Sequence, residues 1–422
     1  MLLMFTCNDE LEKHDQRENN MITYNLKSWL CSMWEADSGS KIRKVLLSEH
    51  SSLKRLMILM DAGISHLQTI ESAFETEGDE VLVKEDIINA WMCCHEERIR
   101  LICTRNISLP LVPPSGLSRL DLSSCIITDG ALAVCLDGLT LLRRLSLKEI
   151  MTLTTLPSED ILQQLTKLQY LRIKSCWCLR SLGGLRAATC LSTIHLRNCP
   201  SLDFTCGSGF LPLSLETLDI RHCVVAADFF NNDLPHLKHL DMSWCRSSSS
   251  MLIGHLTSLR RLSLGNLHDL CFLEGLSSLQ LGGAKFMHVP NLNMKFISQL
   301  RVQDYLYVSS LVMLNHMLSA EGLTVPRTLA LAECKERSIS FDESADFSSV
   351  NCLSFMDCEI SSLPDLKCFS CLRTLRIVRC PNISFLPDLP SSLQCIIIRG
   401  SKLLQKSCQL PDRESWPKIE HI

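Results

Sequence analysis

Apolar residues along this chain fall into one short phrase that keeps returning. Leu-x-x-Leu-x-Leu-x-x-Cys appears cleanly from Leu117, Leu168, Leu191, Leu215, Leu237 and Leu372, and more loosely from Leu142, Leu259, Leu276, Ile297, Pro326, Val350 and Leu393. The first copy places Leu117, Leu120, Leu122 and Cys125 in its four apolar slots, and the copy from Leu215 places Leu215, Leu218, Ile220 and Cys223. Positions 4 and 6 alternate as in a β-strand, so their side chains share one face while positions 5 and 7 share the other. A lone Leu-x-x-Leu means little, but thirteen copies whose starts lie 17 to 29 residues apart predict one strand per copy, stacked in register.

Four buried side chains per copy do not offset the entropy of ordering some twenty residues, so no copy is expected to fold alone. Stacking supplies the missing burial. The period and the phrase are those of a leucine-rich repeat. The fold class is therefore read as α/β, a leucine-rich-repeat solenoid. Such a solenoid is a curved horseshoe with a parallel sheet on its concave face, here with a small helical or degenerate-repeat N-terminal region. The ninth slot is cysteine in eight copies: Cys125, Cys176, Cys199, Cys223, Cys245, Cys334, Cys358 and Cys380. A small thiol there fills the turn and offers a weak S–H donor to loop carbonyls.

Outside the regular copies the pattern changes. Residues 1–40 are polar and of mixed charge, and are expected to be a disordered lead. Residues 41–115 read as a degenerate repeat and a helical cap: Leu53, Leu56 and Ile58 fit a strand, and Val83 to Ile102 carries the helical stripe Ile87, Ile88, Trp91 and Met92. The solenoid spans 116–402. Within it, Leu311, Met313, Leu314, Met317 and Leu318 have helical spacing, and 403–422 forms a capping tail with no repeat phrase.

Composition narrows the chemistry. A formal net charge of −4 provides no general field for a phosphate backbone, so nucleic acid is not expected as a partner. No apolar run is long enough to span a bilayer. The 23 cysteines are odd in number and many are placed by the repeat, which favours reduced thiols and a cytoplasmic location. Cys176-Trp177-Cys178 and the Cys368/Cys371 pair have redox or zinc-like spacing, but Cys176 already occupies a repeat slot and Cys371 abuts the core Leu372. His95-Glu96 lacks the second histidine of a zinc-protease helix, and no Gly-x-Ser-x-Gly elbow is present. No catalytic residue, metal ligand or cofactor site is assigned, and the chain is not read as an enzyme.

Some phrases carry a family likeness. Ser361-Ser362-Leu363-Pro364-Asp365-Leu366, the stretch from Leu386 to Leu393 and the ending Glu414-Ser415-Trp416-Pro417-Lys418-Ile419 resemble the carboxyl-terminal regions of cereal nucleotide-binding leucine-rich-repeat disease-resistance proteins. Thr128-Asp129-Gly130-Ala131-Leu132 and the run from Ser175 to Leu185 are similar to the same group, so that the resemblance covers about 53 to 422. It implies the sensor part of an intracellular immune receptor, which recognises a pathogen effector or a host protein, or docks on a nucleotide-binding module in trans. The chain has no Gly-x-x-x-x-Gly-Lys-Ser/Thr loop, so no nucleotide site carries over. A different class, the substrate adaptor of a ubiquitin ligase, also uses cysteine-bearing repeats. It needs a helical docking box that the first hundred residues do not show.

The register also selects a candidate partner-binding face. Arg144, Lys148, Tyr170, Arg172, Lys174, His195 and Arg197, followed by Arg221 and His222, fall on successive strands as a basic band interrupted by Asp219. Beside it lie His239, Asp241 and Trp244, an aromatic next to charges, which is a frequent composition of binding hot spots. Later copies are expected to expose the small residues Gly265, Gly282, Ala330 and Ala332.

Overall fold

Each regular copy does form a short parallel strand. The computed structural model describes residues 116–408 except 125, 203, 205–208, 227–228, 231–233, 319–324, 339 and 342–346, with the backbone of strands at 2–6, 46–47, 55–59, 98–102 and 418–421. The chain divides into two compact units, residues 1–202 with 210–212, and residues 203–209 with 213–422.

Unit 1 begins with β1 (Leu2–Thr6), β2 (Leu46–Leu47) and β3 (Arg55–Leu59), which form an antiparallel sheet in the order β1-β3-β2. It continues with β4 (Arg98–Ile102), β5 (Arg119–Ser123), β6 (Arg144–Lys148), β7 (Tyr170–Lys174) and β8 (Thr193–Arg197), each parallel to the next. Register lines up Leu120, Leu145, Leu171 and Ile194, the fourth slots, and Leu122, Leu147, Ile173 and Leu196, the sixth. All eight are fully buried. Each contributes about 1.5–3 kcal/mol relative to an exposed side chain. The return segments carry a helix at Asp129–Leu136, capped by Thr128, and another at Glu159–Gln164. Asp129 locks the first of these to the following repeat by accepting the amide of Thr154 at 2.8 Å.

Unit 2 carries β9 (Thr217–Arg221), β10 (Val224–Val225), β11 (His239–Ser243), β12 (Arg246–Ser247), β13 (Ser250–Leu252), β14 (Arg261–Gly265) and β15 (Phe272–Glu274). It goes on through β16 (Leu281–Met287), β17 (Val302–Val308), β18 (Thr328–Ala332), β19 (Cys352–Met356), β20 (Thr374–Val378), β21 (Cys395–Arg399) and β22 (Lys418–His421). Its main sheet pairs β9, β11, β14, β16, β17, β18, β19, β20, β21 and β22 in that order, all parallel. Leu218, Leu240, Leu262, Ala284, Leu306, Leu329, Leu353, Leu375 and Ile396 form one buried line. Leucine-rich-repeat architecture follows from this register in both units: one parallel strand per repeat, with slots 1, 4, 6 and 9 turned inward.

Slot 8, directly after each strand, explains how the chain turns. Ser124, Glu149, Ser175, Asn198, His222, Trp244, Asn266, His288, Glu333, Asp357 and Arg379 all adopt positive φ between 50° and 57°. Non-glycine residues reach this region only at a cost of roughly 1–2 kcal/mol. Backbone hydrogen bonds offset it: Ser124 N–H donates to Lys148 O at 2.8 Å, Glu149 to Lys174 O at 2.8 Å, and Trp244 to Gly265 O at 2.9 Å. The slot-9 thiol completes the turn. Cys245 Sγ donates to Ser243 O and Ile220 O at 3.4 Å each, and Cys358 Sγ to Met356 O and Leu331 O at 3.3 Å each. In the last copy the fully buried Ser401 takes the cysteine's place, accepting from the amide of Cys380 at 3.0 Å. Cys125 lies outside the described residues.

Several expectations are corrected. Of the expected lead, residues 1–40, only Leu2–Thr6 is described and it pairs with β3, while the strand expected around Leu56 and Ile58 pairs antiparallel, outside the repeat stack. Val83 to Ile102 is not helical at its end. Arg98–Ile102 is a strand in which Ile99 and Leu101 pair with Leu120 and Leu122, so alternation prevails over these five residues; the helical stripe Ile87, Ile88, Trp91 and Met92 lies outside the described residues. The copies placed at Leu276 and Ile297 are shifted. Leu276 sits in a 3-10 turn and Ile297 in the helix Met294–Ile297, both fully buried. The true slots are Leu281, Ala284, Phe286 and Val289, and then Val302, Leu306 and Val308, with a one-residue bulge in β17 opposite the step from Leu281 to Gly283. The helix expected around Leu311 to Leu318 is present. The tail adds a helix at Lys402–Cys408 and the strand β22 beside β21.

Candidate interaction surface

In a repeat strand, slots 3, 5 and 7 point away from the core, so three columns of side chains run across the sheet. In unit 1, slot 3 holds Arg119, Arg144, Tyr170 and Thr193; slot 5 holds Asp121, Ser146, Arg172 and His195; slot 7 holds Ser123, Lys148, Lys174 and Arg197. All seven unit 1 candidates of the basic band thus share one face. The Arg144 guanidinium lies 4.7 Å from the centre of the Tyr170 ring, a cation–π geometry, and the Tyr170 and His195 rings are 5.2 Å apart. Arg119 pairs with Asp121 at 3.2 Å and Lys148 with Glu149 at 3.1 Å. Arg172 and Lys174, both half-buried, have no carboxylate partner among the described residues. Arg144, Tyr170, Arg172 and Lys174, with Arg119, Asp121 and Lys148, line a hollow of about 340 Å³.

The unit 2 candidates are arranged differently. Arg221 donates to Asp219 at 2.8 Å and to Asp241 at 2.9 Å. Burial opposes the Arg221 charge, but the hydrogen bonds and charges of the two aspartates outweigh it and hold the guanidinium above its usual pKa. Arg221 therefore neutralises its own neighbours and adds no free charge to a basic band. Burial, reinforced by Arg261 and Lys238, pushes the His239 imidazole below its ordinary value, and its Nδ1 is buried without a hydrogen-bond partner among the described residues. His222 and Trp244 occupy slot 8, at the strand edge, where their rings stack at 5.7 Å and 12°. Trp244 is 55% exposed.

The small-residue patch is also corrected. Ala330 and Ala332 are buried, at 1% and 6% exposure, and Gly265 is buried too. Ala330 lies in register with Tyr307, and Ala332 with Met356; larger neighbours shade it. The shifted register of β17 hid Tyr305 and Tyr307, whose rings are 5.4 Å apart at slots 3 and 5. A Cβ at Gly283 would lie 2.0 Å from Tyr305 Cζ, so glycine is what lets that ring lie flat on the neighbouring strand.

A second feature escaped sequence reasoning: the slot-8 side chains of different repeats meet along one edge. Ser124 Oγ donates to Glu149 at 2.8 Å and Asn198 Nδ2 to Ser175 Oγ at 3.3 Å in unit 1; in unit 2, His288 meets Glu333 at 2.7 Å and Arg379 grips Asp357 through two bonds of 2.5 and 2.6 Å. The signal was present as a polar residue or tryptophan just ahead of the ninth slot. Of the cysteine pairs, Cys176 is buried with its thiol pushed up to about 12 by desolvation, while Cys178, Cys368 and Cys371 are exposed. Among the described residues no group of three or more His, Cys, Asp or Glu side chains converges as a metal site, and no helix is long and apolar enough to cross a membrane.

No family model and no curated protein matches the chain. Similar solved structures include a leucine-rich-repeat protein of Leptospira interrogans, 17% identical, covering 72% of this chain and 84% of that one with a TM-score of 0.41. Another is the functional domain of InlJ from Listeria monocytogenes, which includes a cysteine ladder; it is 16% identical, covering 68% and 64%, with a TM-score of 0.37. The complex of the plant peptide hormone receptor RGFR1 with RGF2 matches at 14% identity, covering 73% and 59%, with a TM-score of 0.30. The assignment to the leucine-rich-repeat class rests on the strand register of this chain itself.

Proposed function

We propose that this chain is a protein-recognition module of the cytoplasm that engages its partner through the solvent-facing side of the unit 1 sheet, and that it serves plant defence as the sensor part of an immune receptor. The carrying observation is the cluster formed by Arg144, Tyr170, Arg172, Lys174 and His195: aromatic surface beside Arg172 and Lys174, two cations with no carboxylate partner among the described residues. The partner is a pathogen effector, a host protein that such an effector modifies, or a nucleotide-binding module supplied in trans. The sequence resemblance supports the defence role, and the fold supports binding without assigning chemistry to the module.

Two experiments test this. A photo-crosslinking amino acid at position 172 or 195, compared with one at the exposed Gln163 on the return helix, should give protein adducts from the sheet face only, in extracts of pathogen-challenged plant tissue. Equal labelling from position 163 would move the contact elsewhere. For the immune role, the transcript upstream of Met1 should encode a phosphate-binding loop in frame, or the chain should co-purify with a protein that has one; a helical docking box in that place would assign it to ubiquitin-ligase adaptors instead.

A further inference from the structure

We infer that the unit 1 hollow selects an extended acidic peptide segment of the partner, with Arg172 and Lys174 as the specificity-determining residues; the inference rests on reading this face as a contact surface. Like charges stand in direct register here. Arg119 is opposite Arg144, and Lys148 is opposite Lys174, which is in turn opposite Arg197. Like charges placed directly across neighbouring strands are destabilising. Unit 2 contains the mirror case, Asp219 opposite Asp241, and there the chain supplies its own counter-ion, Arg221, within 2.9 Å of both. On this face Asp121 and Glu149 pair with Arg119 and Lys148, and among the described residues Arg172 and Lys174 have no carboxylate partner. A partner's carboxylates can supply the counter-charge for Arg172 and Lys174.

The geometry favours a peptide. Along β7, Tyr170, Arg172 and Lys174 face out at every second residue over roughly 13 Å, the length of about four extended residues. Alternate side chains of an extended peptide lie about 6.6 Å apart on one face, the same step that separates slots 5 and 7 along a strand. An Asp or Glu pair at i and i+2 therefore matches Arg172 and Lys174, and charge-assisted bonds to both cations are stronger than neutral ones. Tyr170, two residues before Arg172 on the same strand and covered on one side by Arg144, provides apolar surface for the next peptide side chain on that face. A nucleic acid would need a longer cationic track, and the net charge of −4 works against a polyanion of that length.

The test uses the full chain and three labelled peptides of equal length, alternating Glu-Ser, Gln-Ser and Lys-Ser, read by fluorescence anisotropy at low and high salt. The Glu-Ser peptide should bind at least about tenfold more tightly than Gln-Ser, more weakly as salt rises, and at least about tenfold more weakly to R172E/K174E. R172Q/K174Q should fall between, which guards against misfolding of the charge-reversed chain. Equal binding of Glu-Ser and Gln-Ser, or an unchanged affinity in both variants, overturns the inference. So does tighter binding of an oligouridine, which would indicate a nucleic-acid face, or displacement by inorganic phosphate as effective as displacement by the peptide, which would indicate a small-anion site. Crosslinks retained at positions 172 and 195 alongside such a failure would leave the protein-binding reading standing; loss of both would remove it.

Discussion

The sheets of the two units share one backbone template and one core register, yet they treat charge in opposite ways. On unit 2 the acidic register pair Asp219 and Asp241 is closed by Arg221, and β17 covers Gly283 with a tyrosine ring. On unit 1 the basic register pair Lys148 and Lys174 lines a hollow, and among the described residues Lys174 has no carboxylate partner. Because slots 1, 4, 6 and 9 fold the repeat, slots 3, 5 and 7 are free to vary without disturbing it. Folding and the proposed contact thus fall on alternate residues of the same five-residue strand. A face satisfied from within is suited to stability, and one left unsatisfied is suited to a partner.

The largest effect expected from breaking this comparison lies in the core, where the units should behave alike. Leu171→Asp in unit 1 and Leu218→Asp in unit 2 each bury a carboxylate with no partner, and each should cost about 4 kcal/mol or more in denaturant unfolding. Hydrogen exchange should show protection lost first in the strands next to the substitution; unaltered stability in either variant would refute its register. The difference between the faces should appear next. Asp219→Ala leaves the half-buried Arg221 short of a partner and should cost about 1–3 kcal/mol, whereas Arg172→Ala should change the unfolding free energy by no more than about 0.5 kcal/mol while weakening acidic-peptide binding. Equal costs at the two sites would erase the contrast.

The smallest effect concerns pH at the slot-8 edge. The hydrogen bond from Arg379 holds the Asp357 carboxyl below its ordinary value. A depressed folded-state value stabilises the fold above the unfolded pKa of the aspartate, and that contribution disappears as pH falls through the folded one. Arg379→Gln should therefore be slightly less stable than the native chain at neutral pH, by little for so exposed a pair, and equal to it in strong acid. A difference that persists unchanged into acid would mean that the bidentate pair is not what Arg379 contributes.

The core was readable in the sequence because a repeat strand is a one-dimensional code. Leucines at slots 1, 4 and 6 and a cysteine at slot 9 mark the fold without knowledge of distant contacts. The reading failed where that code was locally counterfeited. Gly282-Gly283-Ala284 carry little apolar signal, so the buried Leu276, Leu279 and Leu281 around the preceding turn looked like the strand, and the bulge in β17 broke the next phrase. For the candidate surface, alternation was enough to place Arg144, Tyr170, Arg172 and Lys174 on one face. It could not show that Arg221 turns onto two aspartates, because that depends on a rotamer and on a strand twenty residues away. Nor does any pattern of hydrophobicity announce a left-handed backbone at non-glycine residues; that conformation is imposed by the stacked neighbour that accepts the amide.

The cysteine ladder gives the molecule a built-in chemical reporter. Burial raises the thiols of Cys176 and Cys245 to about 12 and about 11, so in the native state they are neither accessible nor ionised enough to attack an alkylating reagent. Cys178, Cys190, Cys368 and Cys371 stand at the surface and should be labelled at once. The order in which the remaining sulfurs become modified under mild denaturant would then date the opening of each turn, repeat by repeat, without any engineered probe.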